Sequence, residues 1–326
     1  MIIVTGGAGF IGANIVKALN QRSESDILVV EDLSDGKKFA NLADCRIADY
    51  LEHDQFRELL RHNKDLGNVS AIFHQGACSD TTLWDGRYMM DRNFTFSKEL
   101  CLWAEARHIP LVYASSAAVY GGSTSFAEFA GHERPLNVYG WSKWVFDCWV
   151  QPRLQHAKSP IVGLRYFNVY GPREAHKGRM ASVVHHFDAQ IRANGAVRLF
   201  AGSHGYGDGE HRRDFVYVGD VVKVNLAIAD AAGVVANGIY NVGTGQARSF
   251  NDLAKAVIAW HGRGQIQYVP MPEDLAGAYQ AFTEADLTQL RAKVYREPFA
   301  ELEAGVAATL DALYPGEREA RQRGGG

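Results

Sequence analysis

The sequence predicts an α/β protein built on a doubly wound parallel sheet, joined to a smaller α/β lobe assembled from non-contiguous stretches of chain. Three observations carry that expectation. Short β-branched runs alternate with helical patterns through the first half; a glycine cluster stands between the first run and the first helix; and the alternation becomes irregular after Asn168, with strand-like runs returning later. The 326 residues are enough for two lobes.

In order, Ile2–Thr5 reads as the first strand and Gly12–Asn20 as the helix it feeds. Ile27–Val30 is the second strand, and Asp54–Arg61 is a helix before the strand Ala71–His74. Leu111–Ser115 and Ile161–Tyr166 continue the series. Right-handed crossovers gather the carboxyl ends of such strands along one edge, where ligands bind. Gly202–Arg213, with Gly202, Gly205, Gly207 and Gly209 close together, reads as a mobile loop over a substrate. Phe215–Val218 and Ile239–Val242 read as strands rejoining the first lobe, with Asp220 as the N-cap of a helix over Val221–Ala229. Ser249–Leu313 carries helical patterning broken by Pro270 and Pro272, and Glu317–Gly326 reads as a flexible tail. The expected domains are 1–167 plus about 213–248, then about 168–212 plus 249–315, with 316–326 as the tail.

Composition removes several function classes. A net charge of -3, with no basic stripe, offers nothing to nucleic acid. The four cysteines form no C-x-x-C pair and the twelve histidines no H-E-x-x-H; His185 and His186 lack a third ligand at sensible spacing, so no metal site is expected. No apolar run is long enough for a membrane, and Met1–Val4 already reads as strand where a leader would stand, which predicts a cytoplasmic protein.

Thr5-Gly6-Gly7-Ala8-Gly9-Phe10-Ile11-Gly12 fits G-x-x-G-x-x-G through Gly6, Gly9 and Gly12, and G-x-G-x-x-G through Gly7, Gly9 and Gly12. Glycines there permit a tight turn, close approach to a pyrophosphate and packing of helix on sheet, while the helix N-terminus offers N–H groups to phosphate. This is a Rossmann-type dinucleotide site. Glu31 and Asp32 end the second strand, where an acid bonds a ribose 2′-hydroxyl and favours NAD; Lys37 and Lys38 follow, where a lysine can meet the 2′-phosphate of NADP. The local residues leave the two open.

Tyr139-Gly-Trp-Ser-Lys143 places a phenol and an ammonium four residues apart, on one helix face. Positive charge near a phenol favours the phenolate, a base suited to a substrate hydroxyl during hydride transfer. Ser115 and Ser116 end a strand between this pair and the glycines.

Together these parts resemble the extended branch of the short-chain dehydrogenase/reductase superfamily. Arg165–Pro172, Arg213–Val218 and Tyr240–Gly245 are similar to that branch's nucleotide-sugar members. The dehydratases among them carry an Asp-Glu pair after the serine; here Ser116 is followed by Ala117-Ala118-Val119-Tyr120-Gly121, which leaves no acid for water elimination. Glu31–Gly36, His74–Ser79, Trp84–Met90, Arg173–Gly178 and Tyr279–Thr283 resemble the enzymes that invert carbon 6 of ADP-linked heptoses, precursors of the bacterial lipopolysaccharide core.

That resemblance implies tightly bound NADP, transient oxidation of carbon 6 to a ketone and hydride return to the opposite face. It implies Tyr139, Lys143, Ser116 and Lys177 as catalytic residues, Tyr139 and Lys177 each handling protons for one epimer. It assigns the cofactor to Gly6, Gly9, Phe10, Ile11, Gly12, Glu31, Asp32, Lys38, His53, Gln75, Gly76, Ala77, Cys78, Ser79, Asn93, Lys143, Val169 and Lys177. The ADP-heptose substrate falls to Ser116, Asn168, Arg179, His186, Phe200, Ala201, Gly202, Ser203, Arg213 and Tyr279. Arg92 departs from an asparagine of the family pattern, Arg179 from a serine, and Arg212 is an alternative to Arg213 at the diphosphate. A homo-oligomer, specifically a pentamer, is implied as well. The other readings of these motifs are a UDP-hexose 4-epimerase, which does not require Lys177, and a non-catalytic NADP sensor, which has no need of Tyr139 or Lys143.

Overall fold

The computed structural model describes residues 1–231, 236–272 and 279–324, which form two compact units, each discontinuous in sequence. Residues 273–278 of the stretch expected to be helical, and glycines 325 and 326 of the expected tail, lie outside the described residues. No described helix is long and apolar enough to cross a membrane.

The first unit comprises Met1–Tyr166, Val221–Val242 and Asp286–Glu297. Its chain runs β1 (Ile2–Thr5), α1 (Phe10–Gln21), β2 (Ile27–Glu31), β3 (Asp49–Glu52), α2 (His53–Arg61), β4 (Ala71–His74), α3 (Gly86–Met90), α4 (Phe96–Arg107), β5 (Leu111–Ser116), α5 (Val138–Val150) and β6 (Ile161–Tyr166). With the strand Gly238–Val242 these form a seven-stranded sheet, in the order Gly238–Val242, β6, β5, β4, β1, β2, β3, and every pairing is parallel. The expected doubly wound sheet is therefore present. β2, β4 and β6 are buried along their whole length, which is why they read as unbroken apolar runs. Phe56, Phe96, Leu100, Trp103 and Phe146 pack on Ile3, Leu28, Ile72 and Leu111, each fully buried side chain contributing about 2 kcal/mol. β3 escapes the sequence reading because it is a partly exposed edge strand of mixed polarity, with no alternation to mark it.

The second unit comprises Phe167–Asp220, Gly243–Ala285 and Pro298–Gly326. Among the described residues it holds three two-stranded ladders: Asn168–Tyr170 with Phe215–Tyr217, Arg212–Arg213 with Arg248–Ser249, and Ala196–Phe200 with Gln265–Val269. Helices Val183–Asn194, Phe250–His261 and Leu302–Leu313 enclose its core around Val184, Phe187, Val257, Trp260 and Val306. Several local expectations change here. Phe215–Tyr217 pairs within this unit and not with the large sheet, so only Gly238–Val242 joins that sheet. The helix expected from Val221 begins at Val218, and Asp220 lies in its first turn, where its carboxylate accepts the Ala300 N–H at 2.7 Å. The glycine-rich loop carries internal contacts: the Gly209 N–H donates to the Phe200 carbonyl at 3.0 Å, and His211 is buried against Ser203. Glu317–Gly324 is a helix where a flexible tail is expected; Arg192 pairs with Glu317, and Arg321 donates to the Trp260 carbonyl at 3.0 Å.

Candidate active site

The glycine turn is built by close approach. Gly6 has φ +65, and a Cβ there would meet the Gly76 nitrogen at 2.6 Å; a Cβ on Gly12 would lie 2.1 Å from the Gly6 carbonyl oxygen. Gly9 is the N-cap of α1 and no side chain caps it, so the first turn faces the strand ends with backbone alone; Phe10 is buried there and Ile11 half-buried.

Beside this turn, Thr5, Gly6, Glu31, Asp32, Lys38, His53, Gly76, Ala77 and Cys78 line one cleft, and Tyr88, Arg92 and Phe96 complete its wall. Phe96 escapes the sequence reading, while Tyr88 and Arg92 stand in it only as part of a family resemblance and as a departure from the family pattern, with no role at the cleft. The Glu31 carboxylate accepts the Ala8 N–H at 3.1 Å, the Asp32 N–H at 3.0 Å and the Lys38 ammonium at 3.2 Å. Lys38 faces the cleft; Lys37 is exposed, on the short turn Gly36–Asn41. Burial holds His53 below the usual histidine range, hence neutral.

The segment after β4 is clamped from two sides. Gln75 donates to the Asn225 side chain at 3.2 Å and accepts from the Tyr166 hydroxyl at 3.2 Å, while the Gly76 N–H donates to the Thr5 hydroxyl at 3.1 Å. Asn93 accepts the Cys78 N–H at 2.8 Å, and its amide donates to the Cys78 carbonyl and to the Ser142 hydroxyl, each at 2.9 Å. It sits in a π turn, Asp91–Thr95, whose wider winding re-aims the side chain from a helix that is otherwise regular. Ser79 follows the clamp and is exposed.

The Tyr139 phenol lies beside the Ser116 side chain. Burial raises its pKa and the Ser116 side chain opposes that. Lys143, one helical turn on, is buried and donates to the Ala114 carbonyl at 2.9 Å. Burial lowers its ammonium to about 8, opposed by the Asp147 carboxylate. Asp147, four residues further, accepts from Tyr113 at 3.0 Å, Ser115 at 2.8 Å and Arg165 at 2.9 Å. Thus Ser115 faces the support of the site, and Ser116 faces Tyr139.

In the second unit, Phe200, Arg213 and Tyr279 gather: the Phe200 and Tyr279 rings are 6.2 Å apart, and the Arg213 guanidinium lies 5.0 Å over Tyr279. Arg213 is buried, and its described partners are the Arg212 carbonyl at 2.9 Å and the Phe250 and Tyr279 rings. Burial pushes its pKa down, opposed by the neighbouring Tyr279. Arg212 is exposed, which separates it from its neighbour. Ala201, Gly202 and Ser203 follow Phe200, the Gly202 N–H donating to Asp208 at 2.7 Å and Ser203 meeting His211 at 2.9 Å. A second group is formed by Arg179, whose carbonyl is 3.3 Å from the His186 ring, and by Lys177 on the same turn, Ala175–Met180. Burial lowers the Lys177 ammonium. Asn168 and the half-buried Val169 lie on the strand Asn168–Tyr170; the Asn168 amide accepts from Thr283 at 3.5 Å.

The sequence matches the NAD dependent epimerase/dehydratase family over residues 2–243, and the chain belongs to that family. It is 57% identical over 313 residues, 96% of this chain and 97% of the other, to ADP-L-glycero-D-manno-heptose-6-epimerase of Alkalilimnicola ehrlichii. The structure is similar to that of the Helicobacter pylori ADP-L-glycero-D-manno-heptose-6-epimerase, with a TM-score of 0.80 and 30% identity over 96% of each chain. A Thermus thermophilus UDP-glucose 4-epimerase solved with NAD is also similar, with a TM-score of 0.76 and 26% identity over 96% of this chain and 99% of that one. A nicotinamide cofactor goes with the family, and the cradle at Gly6 and Gly12, which any Cβ would fill, fits one.

Proposed function

We propose that the protein inverts carbon 6 of the heptose in ADP-D-glycero-β-D-manno-heptose to give the L-glycero epimer, using tightly bound NADP. The observation that carries the reaction type is the placing of Tyr139 beside Ser116, with Lys143 anchored one turn away. The choice of substrate is supported by the likeness to the heptose epimerase of Alkalilimnicola ehrlichii along nearly the whole of both chains.

Carbon 6 bears a secondary alcohol whose C–H is not acidic, so inversion by direct proton removal is closed. NADP⁺, which the turn Gly6–Gly12 would hold, would supply a hydride acceptor and donor for carbon 6, the hydride being returned to the opposite face. The chain's own residues hold and move protons. Tyr139 takes the hydroxyl proton of one epimer, Ser116 hydrogen-bonds the reacting oxygen, and the Lys143 charge favours the phenolate. Lys177, its ammonium lowered by burial, serves the other epimer. Gly6, Gly9, Gly12 and the first turn of α1 hold the pyrophosphate; Lys38 favours NADP over NAD, since Glu31 is occupied by internal donors. Arg213 meets the substrate diphosphate and Tyr279 its nucleotide. The enzyme works in the cytoplasm as a homo-oligomer, a pentamer.

The test is incubation of purified protein with ADP-D-glycero-D-manno-heptose and no added cofactor, the epimers being resolved by chromatography. A mixture of 6-epimers is expected. Turnover of UDP-glucose in its place makes the protein a 4-epimerase, and silence with both, despite bound NADP, makes it a sensor. Lys177→Met is expected to abolish epimerisation while leaving NADP bound; unchanged turnover would remove the second acid–base group from the scheme.

A further inference from the structure

Arg92 stands at the end of the cleft where β2 stops, together with Glu31, Asp32, Lys38 and His53. The acceptors there are turned inward. Both Glu31 oxygens are engaged, by the Ala8 and Asp32 N–H groups and by Lys38, and Asp32 caps the Ser34 N–H at 2.9 Å. The donors are not used up. Arg92 spends one nitrogen, Nη1, on the edge of His53 and on Asp54 at 3.0 Å; Nε and Nη2 carry no hydrogen bond among the described residues. The guanidinium plane is set by the Tyr88 ring, 5.5 Å beneath it. Asp54 is 70% exposed and neutralises it weakly. Lys38 makes two bonds, to Glu31 and to the Asp32 carbonyl, and an ammonium has three donors. A ribose with a free 2′-hydroxyl asks for an acceptor, whereas a 2′-phosphate asks for several donors of fixed direction, which a guanidinium supplies better than an ammonium.

We propose that Arg92, working with Lys38, binds the 2′-phosphate of the adenosine ribose and so sets the preference for the phosphorylated dinucleotide. The inference rests on the reading that this cleft end holds the adenosine ribose of NADP. Arg92 arises from a helix that reaches the site through the π turn, and its charge serves the cofactor and not the reacting carbon.

The experiment compares the wild type with Arg92→Gln and Lys38→Gln. Affinities for NADP and NAD are measured after cofactor exchange, with adenosine 2′,5′-bisphosphate and AMP as fragment probes, and thermal unfolding confirms that each variant is folded. Arg92→Gln is expected to weaken NADP and the bisphosphate by tenfold or more while changing NAD and AMP less than twofold, and Arg92→Lys to recover part of the loss. Equal weakening of phosphorylated and plain ligands would overturn the proposal in favour of a structural role through His53. A wild type that prefers NADP with an Arg92→Gln variant that prefers it equally overturns the proposal alone; a wild type that prefers NAD overturns the reading beneath it.

Discussion

Asn93 grips the backbone of Cys78 on both sides, accepting its N–H at 2.8 Å and donating to its carbonyl at 2.9 Å. The same amide reaches Ser142, whose hydroxyl donates to the Tyr139 carbonyl at 2.7 Å, so one buried side chain ties the segment after β4 to the start of α5. Asn93→Ala leaves that buried backbone pair without partners, at a cost of about 2–4 kcal/mol. The expected outcome is a lower urea midpoint together with at least tenfold weaker cofactor retention; loss of stability with cofactor affinity intact would show that the clamp serves the fold alone.

Lys143 titrates near 8 because burial disfavours its charge. Its folded pKa is below the unfolded value, so the native state binds fewer protons between pH about 8 and about 10.5, and this residue's contribution to stability rises with pH across that window. Activity follows the opposite course. The charge that favours the phenolate is lost above pH about 8, so kcat/KM for epimerisation should fall on the alkaline side with a midpoint near that value. Asp147→Asn removes the carboxylate that supports the ammonium and should move the midpoint to lower pH; Lys143→Met should cost about 10²–10⁴ in rate. An alkaline limb unmoved by Asp147→Asn would detach it from Lys143.

His74 is part of a one-way relay. The Gly76 N–H donates to the Thr5 hydroxyl, 2.7 Å from Nδ1 of His74; Nε2 is 2.8 Å from the Ser97 hydroxyl, which donates to the Asn93 carbonyl at 2.6 Å. That order requires neutral imidazole with its proton on Nε2. Burial pushes the pKa down to about 3. A histidine with a depressed folded pKa destabilises as pH falls below its unfolded value, so roughly 2 kcal/mol should vanish between pH 6.5 and 4.5. Urea midpoints across that interval should fall in the wild type and flatten in His74→Gln; parallel slopes would refute the assignment.

Asp214 is fully buried and receives the N–H groups of Thr244 at 2.6 Å, Gly245 at 2.9 Å and Ala285 at 3.0 Å, with the Thr244 hydroxyl at 2.7 Å. Asp214→Ala orphans three backbone donors at once and should cost about 3–5 kcal/mol by chemical denaturation. Asp214→Asn, which keeps the shape and one acceptor, should cost less; a neutral alanine variant would mean that water replaces the carboxylate.

The parts legible in the sequence are those whose meaning is local. Gly6, Gly9 and Gly12 act through the backbone of one turn, and Tyr139 and Lys143 through one turn of helix, so spacing is enough. β3 is an edge strand, half polar, and leaves no pattern. Phe215–Tyr217 reads correctly as a strand, but its partner, Asn168–Tyr170, is a matter of topology that apolar content does not encode. Arg92 stands out in the sequence only as a departure from the family pattern, because a π turn aims it, and Asp147 leaves no signal, because it acts through residues on β5 and β6.

The last strand of the large sheet, Gly238–Val242, pairs with β6, although the second unit's first stretch lies between them in sequence. A ribosome therefore releases all of that stretch before the sheet can close. Until then the nascent chain carries β6, buried at every position in the finished protein, as an open apolar edge, the kind of surface that recruits a neighbouring strand. A gene cut after Tyr166 would freeze this vulnerable stage. The dinucleotide half of the protein is a late product of translation, and its solubility during synthesis depends on how quickly the remainder arrives.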